Sequence, residues 1–567
     1  MKKEINLVID GKRIKTVEEQ TILKAAEENG IIIPTLCYHQ DLKLKTSCRI
    51  CVVSIVGKEG MFTACSTLVA DGMEIITDSL EIRRVRKINL ELIMAQHCEQ
   101  CADCVWRYRC KLKDLAKEYG ADMGRFKDRK KGFAKYNFGP SVEFDSSKCI
   151  DCRNCIEICQ SQGVGHLELE KKDTFFRVVP SKDPKKECIY CGQCITHCPA
   201  GAFEGIGEFE EIEDPLEGKG KTVVFQFAPA VRAAIGEEFG LPCGTEVTRK
   251  LAGAIKALGV NVVFDVAVAA DVTTMEEARE LVERISNNEE LPMFTSCCPA
   301  WVRFLELQYP RLKKNLTTVK SPHMIMGGLI KTYWAKRQNI DPENIMVVSV
   351  MPCVSKKYEI TRAELWTDGI CPVDMVLTTR ELAFLLKKHH VDLAACAESV
   401  TDELFEDPTG AGVIYGASGG VMESALRTAH WMLTGKNMPS LDFMPVRGLE
   451  GVKEASVGIA GKSINVAVVS GTGNAKNLLE QLEKNPEKYT YIEVMACPGG
   501  CVAGGGQPVP IDDGIRQKRS NALYDIDKES DIRCAHESEA IKKIYDSFLA
   551  DEKKRLSVCY SKSVEKN

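Results

Sequence analysis

The sequence predicts a multidomain α+β chain, with small cysteine-rich modules first and a large two-lobed α/β domain after them. Three observations predict it. The 26 cysteines in 567 residues fall mostly into spaced groups. One such group is duplicated between residues 149 and 199. Only after residue 221 do β-rich apolar runs such as KTVVFQF, VNVVFDVAVA and ENIMVVSVM alternate with helical patterns.

With 80 acidic and 75 basic residues the net charge is -5, so no global field draws the chain to nucleic acid or to an anionic membrane. The opening MKKEINLVIDGKRIKTVEEQT reads as a strand, an Asp-Gly turn and a second strand, without the apolar core of an export signal. No window approaches the roughly 18 apolar residues of a spanning helix. A cytoplasmic location without membrane contact is therefore expected. In a reducing compartment, spaced cysteines signal metal rather than disulfides.

Residues 1–80 form the first expected domain. Cys37, Cys48, Cys51 and Cys65 follow the hairpin signal and a helix-like stretch, EEQTILKAAEENG. Four thiolates on one short and two long loops suit a 2Fe-2S cluster, with zinc as the alternative. In residues 81–139, His97, Cys101, Cys104 and Cys110 offer one imidazole and three thiolates, a set open to zinc or to iron, with Cys98 as a neighbouring competitor. Residues 140–207 hold the strongest local signal. Cys149, Cys152, Cys155 and Cys159 are spaced as C-x2-C-x2-C-x3-C, and Cys188, Cys191, Cys194 and Cys198 repeat that run before Pro199. In two-cluster ferredoxins the fourth cysteine of each run ligates the other run's cluster. One 4Fe-4S cluster is therefore assigned Cys149, Cys152, Cys155 and Cys198, and the other Cys188, Cys191, Cys194 and Cys159.

An acidic stretch with proline and glycine, residues 208–221, reads as a linker. Residues 222–550 then form the α/β domain, large for one sheet and hence expected in two lobes. Its cysteines sit where open α/β sheets place ligand crevices, at the ends of expected strands. Cys297 and Cys298 follow PMF, Cys353 follows VVSVMP and Cys497 follows YIEVMA. Cys501 comes next in ACPGGCVAGGG, whose glycines let the backbone pass close to something bulky. GTGNAK, residues 471–476, starts like a dinucleotide loop, but Lys476 stands at the third glycine position and no nucleotide is expected there. The charged residues 551–567 are expected to form a mobile tail.

FTSCCPAW, MPCVSKKYE and VMACPGGCVAGGGQP, in this order and after two ferredoxin runs, resemble the three signature loops of the iron-only (diiron) hydrogenases. The resemblance extends over nearly the whole chain, because the first cysteine group, the His97 group and the late segment from NALYDIDKE to IKKIYDSFL are similar to the larger members. It implies a β-grasp 2Fe-2S ferredoxin-like domain, a 4Fe-4S domain ligated by His97 and three cysteines, a two-cluster ferredoxin domain and a catalytic domain. The cofactors implied are one 2Fe-2S cluster, three accessory 4Fe-4S clusters and an H-cluster, in which a cysteine bridges a 4Fe-4S cluster to a diiron unit carrying carbon monoxide, cyanide and azadithiolate. By motif position the H-cluster ligands are Cys298, Cys353, Cys497 and Cys501, with Cys501 as the bridge. Cys297 is left as a free thiol that passes protons, and its free-solution pKa of about 8.5 suits a donor near neutrality.

By the same resemblance the proton path continues through Glu277, Thr317 and Glu280 toward Arg284 at the surface; Glu277, Glu280 and Arg284 share a helical face by their spacing. Lys356 is implied as a donor to a diiron cyanide, with Glu359 in support. Met351 and Met495 would pack around the metals, and Ala228 and Pro229 would lend backbone beside them. Three positions depart from the family pattern: Ala300 replaces glycine, Thr317 replaces serine while keeping its hydroxyl, and His323 replaces a polar residue that is often glutamine. The implied activity is the reversible reduction of protons to dihydrogen, with electrons from ferredoxin or a similar carrier and a site loaded by diiron-site maturation proteins. The proton/hydrogen couple lies at about −0.41 V at pH 7 and plant-type 2Fe-2S clusters near about −400 mV, so such a wire is nearly isoenergetic with hydrogen. The alternatives are the catalytic subunit of a multi-subunit hydrogenase with NAD(P)H-linked partner chains, and a non-catalytic hydrogen sensor or iron-sulfur assembly protein. Cys98, Cys243, Cys371, Cys396, Cys534 and Cys559 receive no role beyond apolar burial.

Overall fold

Asp10 and Gly11 take positive φ, 49° and 78°, so the turn between Glu4–Ile9 and Lys12–Val17 matches the twist of the hairpin it closes. The computed structural model describes residues 3–559 apart from 96, 98–100, 102–103, 129, 131, 173–174, 208–209, 219, 368, 403–406, 460, 552–553 and 555–557. The hairpin joins a five-stranded sheet in the order Lys12–Val17, Glu4–Ile9, Glu74–Ile76, Val52–Ile55, Phe62–Thr63. Ile5, Leu7, Ile9 and Ile14 share its core with the helix Ile22–Glu28, which Thr21 caps by accepting from Lys24 N at 3.2 Å. Arg86, on the helix Leu80–Met94, is buried and donates to the carbonyls of Val52 and Thr77, each at 2.9 Å. That one guanidinium ties the next module to the first sheet.

The duplicated cysteine runs form matched turns. Arg153 and Gly192, both left-handed, each precede a short helix, Asn154–Ser161 and Gln193–Thr196. A three-stranded sheet of Phe203–Gly205, Val142–Asp145 and Lys135–Phe138 packs beside them around Phe144 and Phe203, whose rings stack at 4.2 Å. Residues 208–221 are not a plain linker. Glu210–Leu216 is helical, and Ile212 is fully buried in the core of the large domain. One apolar side chain in an acidic stretch is enough to dock it.

From residue 222 the chain builds two four-stranded sheets. In the first, Val262–Asp265, Thr222–Phe227, Ile345–Met351 and Met375–Thr378 are all parallel; the central strands are covered on both faces, and their interiors are apolar but for Gln226 and Ser349, which bond each other. In the second, Met293–Phe294, Tyr491–Met495 and Lys462–Ser470 are parallel, and Val452–Ile459 closes the edge antiparallel. The run VNVVFDVAVA does not stay extended. Its strand stops at Asp265, whose carboxylate accepts from Ala267 N at 2.9 Å, and the alanine-rich remainder opens the long helix Ala267–Asn287. The GTGNAK loop opens the helix Thr472–Leu482 against the first ferredoxin run: Thr472 N donates to Gln162 at 2.7 Å, and a Cβ on Gly473 would stand 1.9 Å from Ser161 O. Its glycine makes room for a neighbouring backbone, not for a phosphate.

The helix Asp513–Glu529 returns across both lobes. Arg519 is fully buried and grips Glu237 at 2.7 and 2.8 Å. Asp527 accepts from Arg427 at 2.9 and 2.8 Å, with both side chains fully buried. Cutting one partner from such a pair strands the other charge, so Asp527→Ala is expected to destabilise the protein by about 3–5 kcal/mol, read as a lower denaturant midpoint. Part of the stretch read as a mobile tail is docked: Lys320 N donates to Val558 O at 2.9 Å, and Val558 is buried in the large core. Residues 552–553, 555–557 and 560–567 lie outside the described residues. No described helix is long and apolar enough to cross a membrane.

Candidate active site

Both large-domain sheets end at one cavity. Thr222–Phe227 delivers Ala228 and Pro229, Ile345–Met351 delivers Cys353, Met293–Phe294 leads to Cys297 and Cys298, and Tyr491–Met495 leads to Cys497 and then Cys501. Together with Met351 and Met495 these residues line a cavity of about 80 Å³. Gly192 and Gly505 approach so closely that a Cβ on Gly192 would lie 2.9 Å from Gly505 Cα. The neighbour for which the glycine-rich loop makes room is therefore the backbone of the second ferredoxin run, and Cys497 Sγ comes to lie 3.9 Å from Cys191 O.

Backbone N–H groups point at the sulfurs. Ala496 donates to Cys298 at 3.5 Å and Ser355 to Cys353 at 3.3 Å. In the ferredoxin runs Asp151 donates to Cys149, His166 to Cys159, Tyr190 to Cys188 and Ala202 to Cys198, at 3.4, 3.2, 3.4 and 3.3 Å. Such donors favour thiolates, yet without a metal burial first and then Cys298 push the Cys353 thiol up to about 12. Soft thiolates converging in a dry, N–H-lined site fit an iron–sulfur cluster, whose iron supplies the missing positive charge.

The outer cysteine groups converge on the first run. Cys37, Cys48, Cys51 and Cys65 are all buried, with Cys37 N donating to Cys48 Sγ at 3.4 Å. The rings of His39 and His197 meet at a tilt, with centroids 4.1 Å apart, between the Cys37 loop and the Cys198 turn. His97 holds the carbonyl of Lys148 through Nδ1 at 2.8 Å, which leaves Nε2 free to face a metal. Of its partners Cys101 is exposed while Cys104 and Cys110 are half-buried, and Cys98 lies outside the described residues. Cys152, Cys155, Cys191 and Cys194 complete the paired runs, all deep enough for burial to raise their thiols strongly.

Lys356 Nζ donates to Cys297 O at 3.0 Å and to Glu359 at 2.7 Å. Burial works against its charge, but Glu359 outweighs burial and holds the ammonium above its ordinary value. Burial would likewise raise Glu359, yet Lys356 and His323 bring it down to about 2. Burial, then Lys356, lowers the His323 imidazole below its ordinary value. It donates Nε2–H to Glu359 at 2.6 Å and accepts at Nδ1 from Ser349 Oγ at 3.2 Å. The departure at 323 thus becomes a fixed support of the Lys356–Glu359 pair.

The long helix Ala267–Asn287 carries the acidic residues singled out in the sequence. Glu277 is buried and stands near Cys297; burial first, then Glu280 and Glu493, push its carboxyl to about 8 against the pull of Tyr491 and Arg284. Thr317 Oγ1 donates to Glu280 at 2.7 Å, and Arg284 reaches Glu280 at 2.5 Å. Arg284 does not mark the surface. It is buried against the carbonyls of Asn315 and Leu316 at 3.2 and 2.8 Å, because those loop carbonyls need a donor there. Nor does Cys297 keep its free-solution pKa: burial, then Glu277, hold its thiol well above the ordinary value. Two neighbours were missed. Tyr415 lines the cavity and shares a hydrogen bond with Thr274 at 2.8 Å, and Tyr491 donates to Glu277 at 2.8 Å. Neither has a local motif to separate it from ordinary core.

A file of thiol groups leading to a dry, thiol-lined cavity beside a buried acid–base chain defines an iron–sulfur redox enzyme. The iron only hydrogenase large subunit, C-terminal domain, matches residues 221–505, and the iron hydrogenase small subunit matches 513–556. A 2Fe-2S iron-sulfur cluster binding domain matches 2–79, a 4Fe-4S dicluster domain 148–202, and the NADH-ubiquinone oxidoreductase-G iron-sulfur binding region 86–125. The NADP-reducing hydrogenase subunit HndD of Solidesulfovibrio fructosivorans is 39% identical, over 96% of either chain. Iron hydrogenase 1 of Clostridium pasteurianum is 38% identical, again over 96% of each. A variant of the [FeFe]-hydrogenase HydA1 from Chlamydomonas reinhardtii superposes with a TM-score of 0.57 at 36% identity, covering 63% of this chain and 98% of that one. The chain belongs to the iron-only hydrogenases: it is an oxidoreductase acting on dihydrogen, with accessory 2Fe-2S and 4Fe-4S ferredoxin-like domains.

Proposed function

We propose that this chain takes electrons from ferredoxin or a similar carrier and passes them through four accessory clusters to an H-cluster, where they reduce protons reversibly. One observation carries the reading: five cysteines from the strand ends of two sheets meet at one cavity, with Lys356 and Glu359 paired at its wall. Cys298, Cys353, Cys497 and Cys501 are assigned to the H-cluster, with Cys501 as the bridge. Bound there, the diiron unit supplies the metal centre at which two protons and two electrons combine. Lys356, locked between Cys297 O and Glu359, presents a compact cation to a cyanide. Met351, Met495, Ala228 and Pro229 keep water out. Cys297 exchanges a proton with Glu277, and Thr317 and Glu280 continue the route outward; Arg284 holds Glu280 in place.

For the wire, Cys37, Cys48, Cys51 and Cys65 hold the 2Fe-2S cluster, and His97 with Cys101, Cys104 and Cys110 holds a 4Fe-4S cluster. The paired runs hold two more, each completed by the other run's last cysteine. Assembly takes place in the cytoplasm with maturation proteins. A second reading rests on the relative named as an NADP-reducing hydrogenase subunit, matched end to end: partner chains linked to NAD(P)H feed the same clusters. Copurification of stoichiometric partners from the native host supports that reading, and a lone chain with ferredoxin-dependent activity supports the first. The cluster inventory is tested by anaerobic iron analysis, which is expected to give about 18 irons per chain before diiron insertion and about 20 after. Four fewer irons, or stoichiometric zinc, would remove the assignment at His97.

A further inference from the structure

Glu277 has one strong directional partner, and it comes from the second of the large domain's sheets. Tyr491 is fully buried at the start of the strand Tyr491–Met495 and donates its phenol to Glu277 Oε1 at 2.8 Å. The same residue pairs in register with Met293, on the strand that runs on to Cys297. A side chain anchored in the sheet thus holds one oxygen of a carboxyl carried by the helix. The geometry points to Tyr491 as a positioning residue of the proton path: its phenol occupies Oε1 of Glu277, so that the other carboxyl oxygen is the one that exchanges protons with Cys297. In the evolution direction the O–H bond at that oxygen breaks and an S–H bond forms at Cys297; in oxidation the proton returns. This deepens the reading of Glu277 as a relay and rests on it.

The electrostatics agree in sign. The groups facing Glu277 are Glu280 and Arg284 on its own helix, Glu493 and Tyr491 on the strand, and Tyr415 and Cys297 at the cavity. Of these, Tyr491 and Arg284 favour the carboxylate, and Tyr491 is the stronger of the two. A hydrogen bond to the charged form lowers a carboxyl pKa, so removing the phenol raises it. Hydrogen evolution needs protonated Glu277 and falls as pH rises through its pKa; hydrogen oxidation needs the carboxylate and rises through the same value. Both limbs should move to higher pH together.

The test is Tyr491→Phe in the matured holoenzyme, with Glu277→Gln made in parallel. For Tyr491→Phe both pH limbs are expected to shift upward by about one unit, the size of one lost charge-assisted hydrogen bond. The KM for methyl viologen, the diiron infrared bands and the cluster signals should stay unchanged. Superimposable pH profiles for Tyr491→Phe and wild type, while Glu277→Gln loses turnover, overturn the Tyr491 role and leave the relay intact. Full turnover in Glu277→Gln overturns the relay itself, and the positioning role with it. Should the phenylalanine variant fail to assemble, 3-fluorotyrosine at 491, a stronger donor, is expected to move the limbs to lower pH; no movement overturns the proposal.

Discussion

Replacing Cys297 with alanine is expected to leave every iron–sulfur cluster and the diiron infrared bands in place and to lower turnover by about 10²–10⁴-fold, the usual worth of a positioned acid–base group. The thiol lies at the cavity, its own carbonyl is held by Lys356, and the buried Glu277 stands behind it. Alanine keeps the backbone and therefore the Lys356 contact, while removing the cavity thiol that faces Glu277. Burial raises the thiol, so in the proposed route it releases a proton only when a stronger base stands in the cavity, and recovers one from Glu277. Equal turnover in Cys297→Ala and wild type contradicts this route.

Changing Cys501 to serine is expected to abolish turnover by a different cause, failure to hold the diiron unit. Hard oxygen is a poor substitute for a soft bridging thiolate. The infrared bands of the diiron carbon monoxide and cyanide should be lost. The 2Fe-2S and paired 4Fe-4S signals should remain, because their cysteines sit in cores that do not include Cys501. Normal diiron bands in Cys501→Ser would remove the bridge from Cys501.

Legibility in the sequence followed the reach of the interaction. Cysteine groups whose members lie a few residues apart, the two ferredoxin runs above all, were readable because ligand spacing is local. The three long loops were readable because each combines a strand end with a thiol. What depends on contacts between distant segments was not. The supposed linker hides Ile212 in the large core, and the supposed tail places Val558 there too. Arg284 has the spacing of an exposed helix face, but is drawn inward by carbonyls of a loop some thirty residues away. Tyr491 and Tyr415 meet the acidic helix only through folding, and nothing adjacent to them in the chain announces it. The glycines of GTGNAK and of the Cys501 loop mark close backbone approach, and only the fold reveals that the approaching backbone belongs to the ferredoxin runs.

The central claim is that the cavity at the end of this wire makes and consumes dihydrogen. Its most direct test is hydrogen evolution from chemically reduced methyl viologen under strict anaerobiosis, comparing protein made with and without diiron-site maturation proteins. Fast evolution is expected from the matured protein alone; no evolution from protein whose diiron infrared bands are present would contradict it.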